Sequence, residues 1–252
     1  MTEPLIAGLG AGTLAYACAA VFFAALIRGY SGFGSAAIIV TSLSLVFHPA
    51  EIVPIAVLLE VVASLGVLHL VWREVARRET AWLLAGACFG TPVGLWLLTS
   101  VPVNWMRAGI ALIVLAASLS LLAQVRLPRQ SGAGTIMGAG LVSGVVNGAA
   151  AVGGLPAVLY LLSTDMKAAV ARATIIVYLM ALGVYGTGAA YLNDLITRDL
   201  LIRTALFCIP LALGVAAGNR HFLASSPDSF RRFALWLLIG LSCLALTRAA
   251  FG

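Results

Sequence analysis

The stretches LIRGYSGFGSAAIIV, residues 26–40, and LVSGVVNGAAAVGGLPAVLYL, residues 141–161, decide the fold of this chain. Both place glycine-dense, weakly helical sequence inside apolar runs that are expected to cross a lipid bilayer. In hydrocarbon every backbone N–H and C=O group needs an internal partner, so broken helix is tolerated where it is buried in protein or lines a cavity. A paired break in corresponding positions of two halves therefore predicts a binding site near the membrane midplane.

The composition predicts an all-α, polytopic membrane protein. Of 252 residues, 62% are hydrophobic and only 10% are charged, and the mean hydropathy is +1.08. Soluble domains carry about 25% charged residues. The deficit extends along the whole chain, which leaves little room for a separate soluble domain. The four cysteines lie in apolar segments without metal-ligand or disulfide-framework spacing, so we expect them to be reduced.

Apolar runs of membrane length predict about 8–10 transmembrane segments, since a crossing needs about 20 residues. Three of the runs are short and are interpreted as full spans, half-helices or re-entrant hairpins: 33–47, 134–149 and 152–163. The ten runs are 7–27, 33–47, 52–72, 81–99, 106–125, 134–149, 152–163, 171–192, 202–219 and 233–250.

Short matches that recur in the same order predict a duplicated chain, with a first repeat at 1–130 and a second at 131–252. Each half contains an odd number of runs, so the second half is expected to insert upside down. Inverted repeats of this kind build alternating-access carriers. The matches are Leu26 and Gly29 with Leu141 and Gly144, Leu65-Gly66-Val67 with Leu182-Gly183-Val184, and Gly90-xxx-Gly94 with Gly214-xxx-Gly218.

Over essentially its full length the chain resembles the TauE/SafE family, the sulfite exporter family of membrane anion transporters. The resemblance lies in the size, the duplicated halves and the glycine-rich segments that open each half, although alanines dilute the second segment and the first lacks the family's proline. It implies a multi-pass protein of the bacterial inner membrane that moves sulfite, sulfonates such as sulfoacetate, or other small organic anions. The segments are Gly29-Tyr30-Ser31-Gly32-Phe33-Gly34, and Gly144-Val145-Val146-Asn147-Gly148 followed by Gly153-Gly154-Leu155-Pro156.

An anion fits the residues at the predicted breaks. The first N–H groups of a restarting helix lack intrahelical partners and carry partial positive charge, which suits sulfonate or carboxylate oxygens. The alternative is that the glycines only allow tight helix packing. The candidate substrate-binding residues are Arg28, Gly29, Tyr30, Ser31, Gly32, Phe33, Gly34, Ser35, Ser143, Gly144, Asn147, Gly148, Gly153, Gly154 and Pro156.

Two charged residues stand out. Arg28 directly precedes the first break and is expected either to neutralise the anion or to reach the membrane surface as an anchor. Glu60 lies near the centre of the run 52–72, where an unpaired charge costs roughly 2.5–3.5 kcal/mol. It is therefore expected to be protonated, to be paired or to face a wet cavity. It is a candidate for proton coupling, and a structural ion pair is the alternative.

The sequence favours a secondary transporter of small anions that works by alternating access and is coupled to protons. An anion channel, a carrier of small carboxylates such as lactate and a non-transporting membrane subunit remain alternatives. The chain has no HExxH, no GxSxG and no nucleotide loop, so no enzymatic activity, metal or cofactor is predicted. The basic residues form small separated groups, which argues against nucleic acid. The expected partners are the anion, the lipid bilayer and, through Gly90-xxx-Gly94, a second copy of the chain.

Overall fold

The computed structural model describes residues 10–31, 34–123, 132–162, 164, 166–222, 236 and 238–247, and these residues form helices and short connections with no strand. A single 3₁₀ turn follows the third helix. The helices are α1 (Ala11–Ser31), α2 (Ser35–Leu43), α3 (Pro49–Val71), α4 (Arg77–Ser100), α5 (Val103–Leu122), α6 (Ala133–Ala150), α7 (Gly154–Leu162), α8 (Ala168–Leu192), α9 (Arg198–Phe222) and α10 (Leu238–Thr247).

The prediction of a polytopic all-α membrane protein is confirmed. Within the described part of the chain, seven helices are long and apolar enough to cross a membrane: α1, α3, α4, α5, α6, α8 and α9. The run 134–149 becomes a helix of full membrane length, since α6 has 18 residues. By contrast, α2 and α7 have 9 residues each. At 1.5 Å per residue each is about 13 Å long, less than half of the hydrocarbon core.

Two pairs of parallel helices, α4 with α6 and α1 with α9, approach each other through glycine. A side-chain carbon on Gly90 would lie 2.2 Å from the backbone oxygen of Leu141, and one on Gly144 would lie 2.4 Å from that of Ala87. In the other pair, a carbon on Gly218 would lie 2.2 Å from the backbone oxygen of Leu26. Such close backbones are typical of membrane helices, in which small residues maximise packing. The Gly90-xxx-Gly94 motif therefore contacts α6 of the same chain.

The helices α3 and α8 pack against each other in the middle of the molecule. They also join the two glycine-packed pairs, because α3 contacts α9 and α8 contacts α4. Gly183 allows the crossing, since a side chain there would meet Val61 and Val57. The short helix α2 packs on α1 and α3, and α7 packs on α6 and α8. Both short helices are thereby brought to the central crossing.

Polar contacts fix the connection from α2 to α3. Nδ1 of His48 accepts the N–H of Ala50 at 3.2 Å, which caps α3 at its N-terminus. Arg107 of α5 donates from Nη2 to the carbonyl of Phe47 at 3.2 Å. Arg203 of α9 pairs with Glu51 of α3 at 2.6 Å. These contacts tie α5 and α9 to the N-terminal end of α3.

We predict that Gly144→Ala destabilises the protein, whereas Gly138→Ala on the same helix does not. A methyl group at Gly144 collides with the backbone of α4, while nothing lies within 4 Å of the corresponding position at Gly138. Overpacking of this kind costs about 1–3 kcal/mol, which lowers the melting temperature by at least about 2 °C. Thermal unfolding of both variants in detergent checks the prediction. Equal melting temperatures would contradict it.

Candidate functional site

The first break lies between the end of α1 at Ser31 and the start of α2 at Ser35. Gly34 has φ +93°, a left-handed conformation that side chains other than glycine rarely adopt. The residues before it divide into two groups. Gly29, Tyr30 and Ser31 belong to the last turn of α1, so the break is shorter than the sequence indicated, whereas Gly32 and Phe33 lie outside the described residues.

The carboxylate of Glu60 binds the N-terminus of α2. Its Oε1 accepts hydrogen bonds from the hydroxyl of Ser35 and, at 3.2 Å, from the backbone N–H of Ala36. Gly34 has no side chain to cap this helix, so the acid from α3 satisfies donors that would otherwise lack a partner. A carboxylate in this place also interacts favourably with the positive end of the helix dipole. Ser35 therefore contacts an internal anion in this structure.

Arg28 balances the charge of this carboxylate. Its Nη1 forms an ion pair with Oε2 of Glu60, and its Nη2 donates to Oγ of Ser64 at 2.7 Å. Ser64 in turn donates to the backbone oxygen of Glu60 at 2.8 Å. Arg28 is only 5% exposed. Arg28 and Glu60 thus form an ion pair that is buried among the helices.

The second break lies further along the chain than its glycine pattern indicated. Helix α6 continues through Gly144 and Gly148 to Ala150, because both glycines pack on α4. The helix ends at Ala151, whose φ of +55° is left-handed. Gly153 follows, where a side-chain carbon would lie 2.5 Å from the backbone oxygen of Ser143. Close approach, and not tolerance of an unusual φ, is what requires glycine at this position.

Ser143 holds the second break in place. Its hydroxyl donates to the carbonyl of Gly153 at 2.6 Å and accepts from the hydroxyl of Tyr178 at 2.6 Å. Tyr178 and Ser143 are both completely buried. Because the single hydroxyl hydrogen of Ser143 is already donated, this residue supports the turn and has no hydrogen left for a ligand.

Both breaks open into one cavity at the crossing of α3 and α8. It offers about 20 Å³ to the centre of a water molecule, which is enough for one or two waters. A larger anion therefore requires the walls to move apart. The two helix starts and the end of the second break contribute seven of the twelve lining residues, and the rest include one acid and one amide. The lining residues are Gly34, Ala36, Ala37, Val57, Glu60, Asn147, Ala151, Val152, Gly154, Leu155, Leu179 and Gly183.

The second helix start in this cavity differs from the first in its electrostatics. The first turn of α7 contains no acid, and Pro156 in that turn removes an N–H that has no intrahelical partner anyway. Asn147 is 6% exposed, and its Nδ2 has no hydrogen-bond partner among the described residues. A positive helix end beside an unpartnered donor is suited to an anion. Among the described residues no group of three or more His, Cys, Asp or Glu could hold a metal.

The structure brings together one group of predicted residues and separates another. Gly34, Glu60, Asn147 and Gly154 line the cavity directly, whereas Gly29, Gly144 and Gly148 lie within continuous helix. Sequence reasoning missed the supporting residues Ser64 and Tyr178 and the apolar wall. Ser64 stands one helical turn after Glu60, a spacing that places both on one face. That spacing is the signal that was available for Ser64.

Comparison with known proteins agrees with this architecture. The family model described as Sulfite exporter TauE/SafE matches residues 17–245, which is nearly the whole chain. No curated protein and no solved structure is matched. The family implies a membrane transporter of sulfur anions, in keeping with seven helices of membrane length and a cavity to which Glu60 and Asn147 contribute polar groups. On the match and the architecture together, the chain is a multi-pass membrane protein that belongs to the TauE/SafE sulfite exporter family.

Proposed function

We propose that this protein is a secondary transporter of sulfite or an organosulfonate such as sulfoacetate, and that the anion binds between the start of α7 and Asn147. The observation that carries the proposal is the unpartnered Nδ2 of Asn147 beside the acid-free first turn of α7. The oxygens of a sulfite or sulfonate group accept from these donors. Gly154 lets the backbone approach the anion, and Gly34 and Ala36 bring the other helix start to the same cavity.

The direct contact lies at α7 and not at α2 because the start of α2 already binds a carboxylate. A second anion there would meet the charge of Glu60 at close range. At α7 the N–H groups of Leu155 and Ala157 already donate to the carbonyls of Val152 and Gly153, so Nδ2 of Asn147 is the donor that an incoming anion gains without displacing an internal partner. A hydrogen bond to a charged group contributes about 1.5–3 kcal/mol. The neutral Arg28–Glu60 pair keeps the other side of the cavity free of net charge.

Proton coupling follows from the same arrangement. When Glu60 takes up a proton it loses its charge, and Arg28 and the start of α2 become available to a second anionic group. Among the described residues, Arg28 and Glu60 are the charged groups at this cavity, and Ser35, Ser64 and Asn147 are its polar neighbours. A proton therefore adds one positive charge to the cavity, which favours entry of one anion. We propose that proton and anion move together.

We further propose that residues 1–130 and 131–252 form inverted repeats. The packing supports this: Gly86 meets Met137 and Leu141 as Gly214 meets Phe22 and Leu26. The helices α2 and α7 are equally short. Helix α2 follows α1 and α7 follows α6, and α1 and α6 each belong to one of the two glycine-packed pairs. By their packing partners, Gly86 corresponds to Gly214 and Gly90 corresponds to Gly218. In the first half, this pair lies one helical turn before the pair Gly90 and Gly94 that the sequence match predicts.

The narrow cavity supports a carrier that works by alternating access. An open pore needs a continuous wet path, whereas nine-tenths buried residues form most of the lining here, among them Ala36, Val57 and Leu179. A saturable flux would distinguish a carrier from an anion channel. Competition by lactate would reveal the carboxylate alternative. We propose the bacterial inner membrane as the location, as the family resemblance implies.

We predict that Asn147→Ala weakens anion binding at least tenfold, because it removes a donor to a charged group. Purified protein is titrated with sulfite, sulfoacetate and lactate, and binding is followed as the rise in melting temperature that a ligand of the folded state produces. Asn193→Ala is the matched control, since Asn193 is exposed at the end of α8. Unchanged affinity in Asn147→Ala would reject the proposed site. Stabilisation by lactate alone would change the substrate class.

We predict that Glu60→Gln removes the pH dependence of transport. Wild-type flux should rise as the pH falls, because protonation of Glu60 frees Arg28 and the start of α2. The amide stays neutral at every pH, so the variant should carry sulfoacetate at a nearly constant rate. Flux into proteoliposomes from mildly acidic to mildly alkaline pH provides the measurement. Glu51→Gln is the control, because Glu51 lies in an exposed pair with Arg203. A pH profile identical to wild type would reject coupling through Glu60.

A further inference from the structure

A second, smaller cavity lies directly beside the central one, between α3, α4, α6 and α8. It offers about 10 Å³ to the centre of a water molecule, room for about one water. Val57 and Asn147 belong to the walls of both cavities, so these two side chains alone stand in both linings. The lining residues of the second cavity are Val53, Pro54, Val57, Thr91, Leu95, Asn147, Gly148, Gly186, Thr187 and Ala190.

Two polar groups in this cavity have no partner among the described residues. They are Nδ2 of Asn147 and Oγ1 of Thr187. The other hydroxyl in the wall, that of Thr91, instead donates to the carbonyl of Ala87 at 2.9 Å. A buried polar group without a partner costs about 1–3 kcal/mol. Native proteins rarely retain such groups without a ligand, a water or a functional reason.

The cavity points toward one face of the membrane. Relative to Glu60, its wall residues lie nearer the start of α3 and the end of α8, which adjoin each other because the two helices run antiparallel. Pro54 has no N–H, so the carbonyl of Ala50 lacks its intrahelical donor and α3 can bend there. Gly186 has no side chain to fill this space, whereas Gly148 packs against the backbone of α4. A glycine and the proline-containing part of α3 thus line the second cavity.

We infer that this cavity becomes a second anion subsite when its walls move apart, on the route between the central cavity and the membrane face at which α3 begins. The inference rests on the proposed function and deepens it. The anion, a small oxoanion or the head of an organosulfonate, passes from the start of α7 to the second cavity while it stays bonded to Asn147. The hydroxyl of Thr187 then donates to it.

The chemistry of the subsite suits transit. No charged residue lines the cavity, so an anion there gains hydrogen bonds from neutral donors and no ion pair. A transport pathway needs sites that bind firmly enough to be entered and weakly enough to be left. Thr187 acts on passage and not on central binding, because it is absent from the wall of the central cavity. Affinity and flux are therefore expected to separate when Thr187 is changed.

The test is Thr187→Val, which replaces the hydroxyl by a methyl group of similar size. We expect the affinity of sulfite or sulfoacetate for the purified protein to stay within about twofold of wild type, while the flux in proteoliposomes falls about tenfold, as loss of one hydrogen bond to a charged group requires. Retained binding shows that the variant is folded. Thr187→Ser should restore most of the flux. Val184→Ala is the control, since Val184 lies on the same helix and is 56% exposed.

Wild-type flux in Thr187→Val overturns the inference and leaves a cavity that holds a structural water. Loss of binding together with flux also overturns it, because Thr187 would then belong to the central site. Failure of the proposed function has a different signature, in which the wild-type protein itself neither binds nor carries sulfite or sulfoacetate. Reduced flux with retained affinity, rescued by serine, supports the second subsite.

Discussion

The carboxylate of Glu60, held between Arg28 and the first N–H groups of α2, is the interaction on which the centre of this molecule depends. A short helix that starts among packed helices exposes N–H donors that have no intrahelical partner. Glu60 satisfies them, and Arg28 removes the cost of its charge. Removing one partner of a buried pair costs about 3–5 kcal/mol. The pair thus fixes where α2 begins and joins α1, α2 and α3.

The second break, between α6 and α7, is held by neutral groups. The hydroxyls of Ser143 and Tyr178 replace the charged pair, and they hold the carbonyl of Gly153 without reaching the start of α7. One helix start therefore has an internal anion and the other does not, although both face one cavity. The cavity thus has one helix start that binds an acid and one whose first turn contains no acid. This difference is the physical reason to expect a binding site for one external anion.

Much of the fold could be predicted from the sequence, because composition and run length fix the membrane class and the approximate helices. The short runs 33–47 and 152–163 become α2 and α7, as their length allowed. The exact breaks could not be predicted, because glycine has two uses in membranes. At Gly34 it permits a left-handed turn, whereas at Gly144 it permits contact with α4 inside an unbroken helix. Only the neighbouring helix decides between these uses, and the neighbour is remote in sequence.

For a related reason, the sequence predicted the kind of site but not which residues contact each other. A single acid in an apolar run predicts a nearby partner, but the sequence does not show which of several arginines forms the ion pair. Glu60 pairs with Arg28, so the two charges neutralise each other beside the cavity. In the coupling proposed above, a proton on Glu60 leaves Arg28 with an uncompensated positive charge beside the cavity that the anion enters. Proton and anion would then act on one another through charge at short range, and no signal from a distant site would be required.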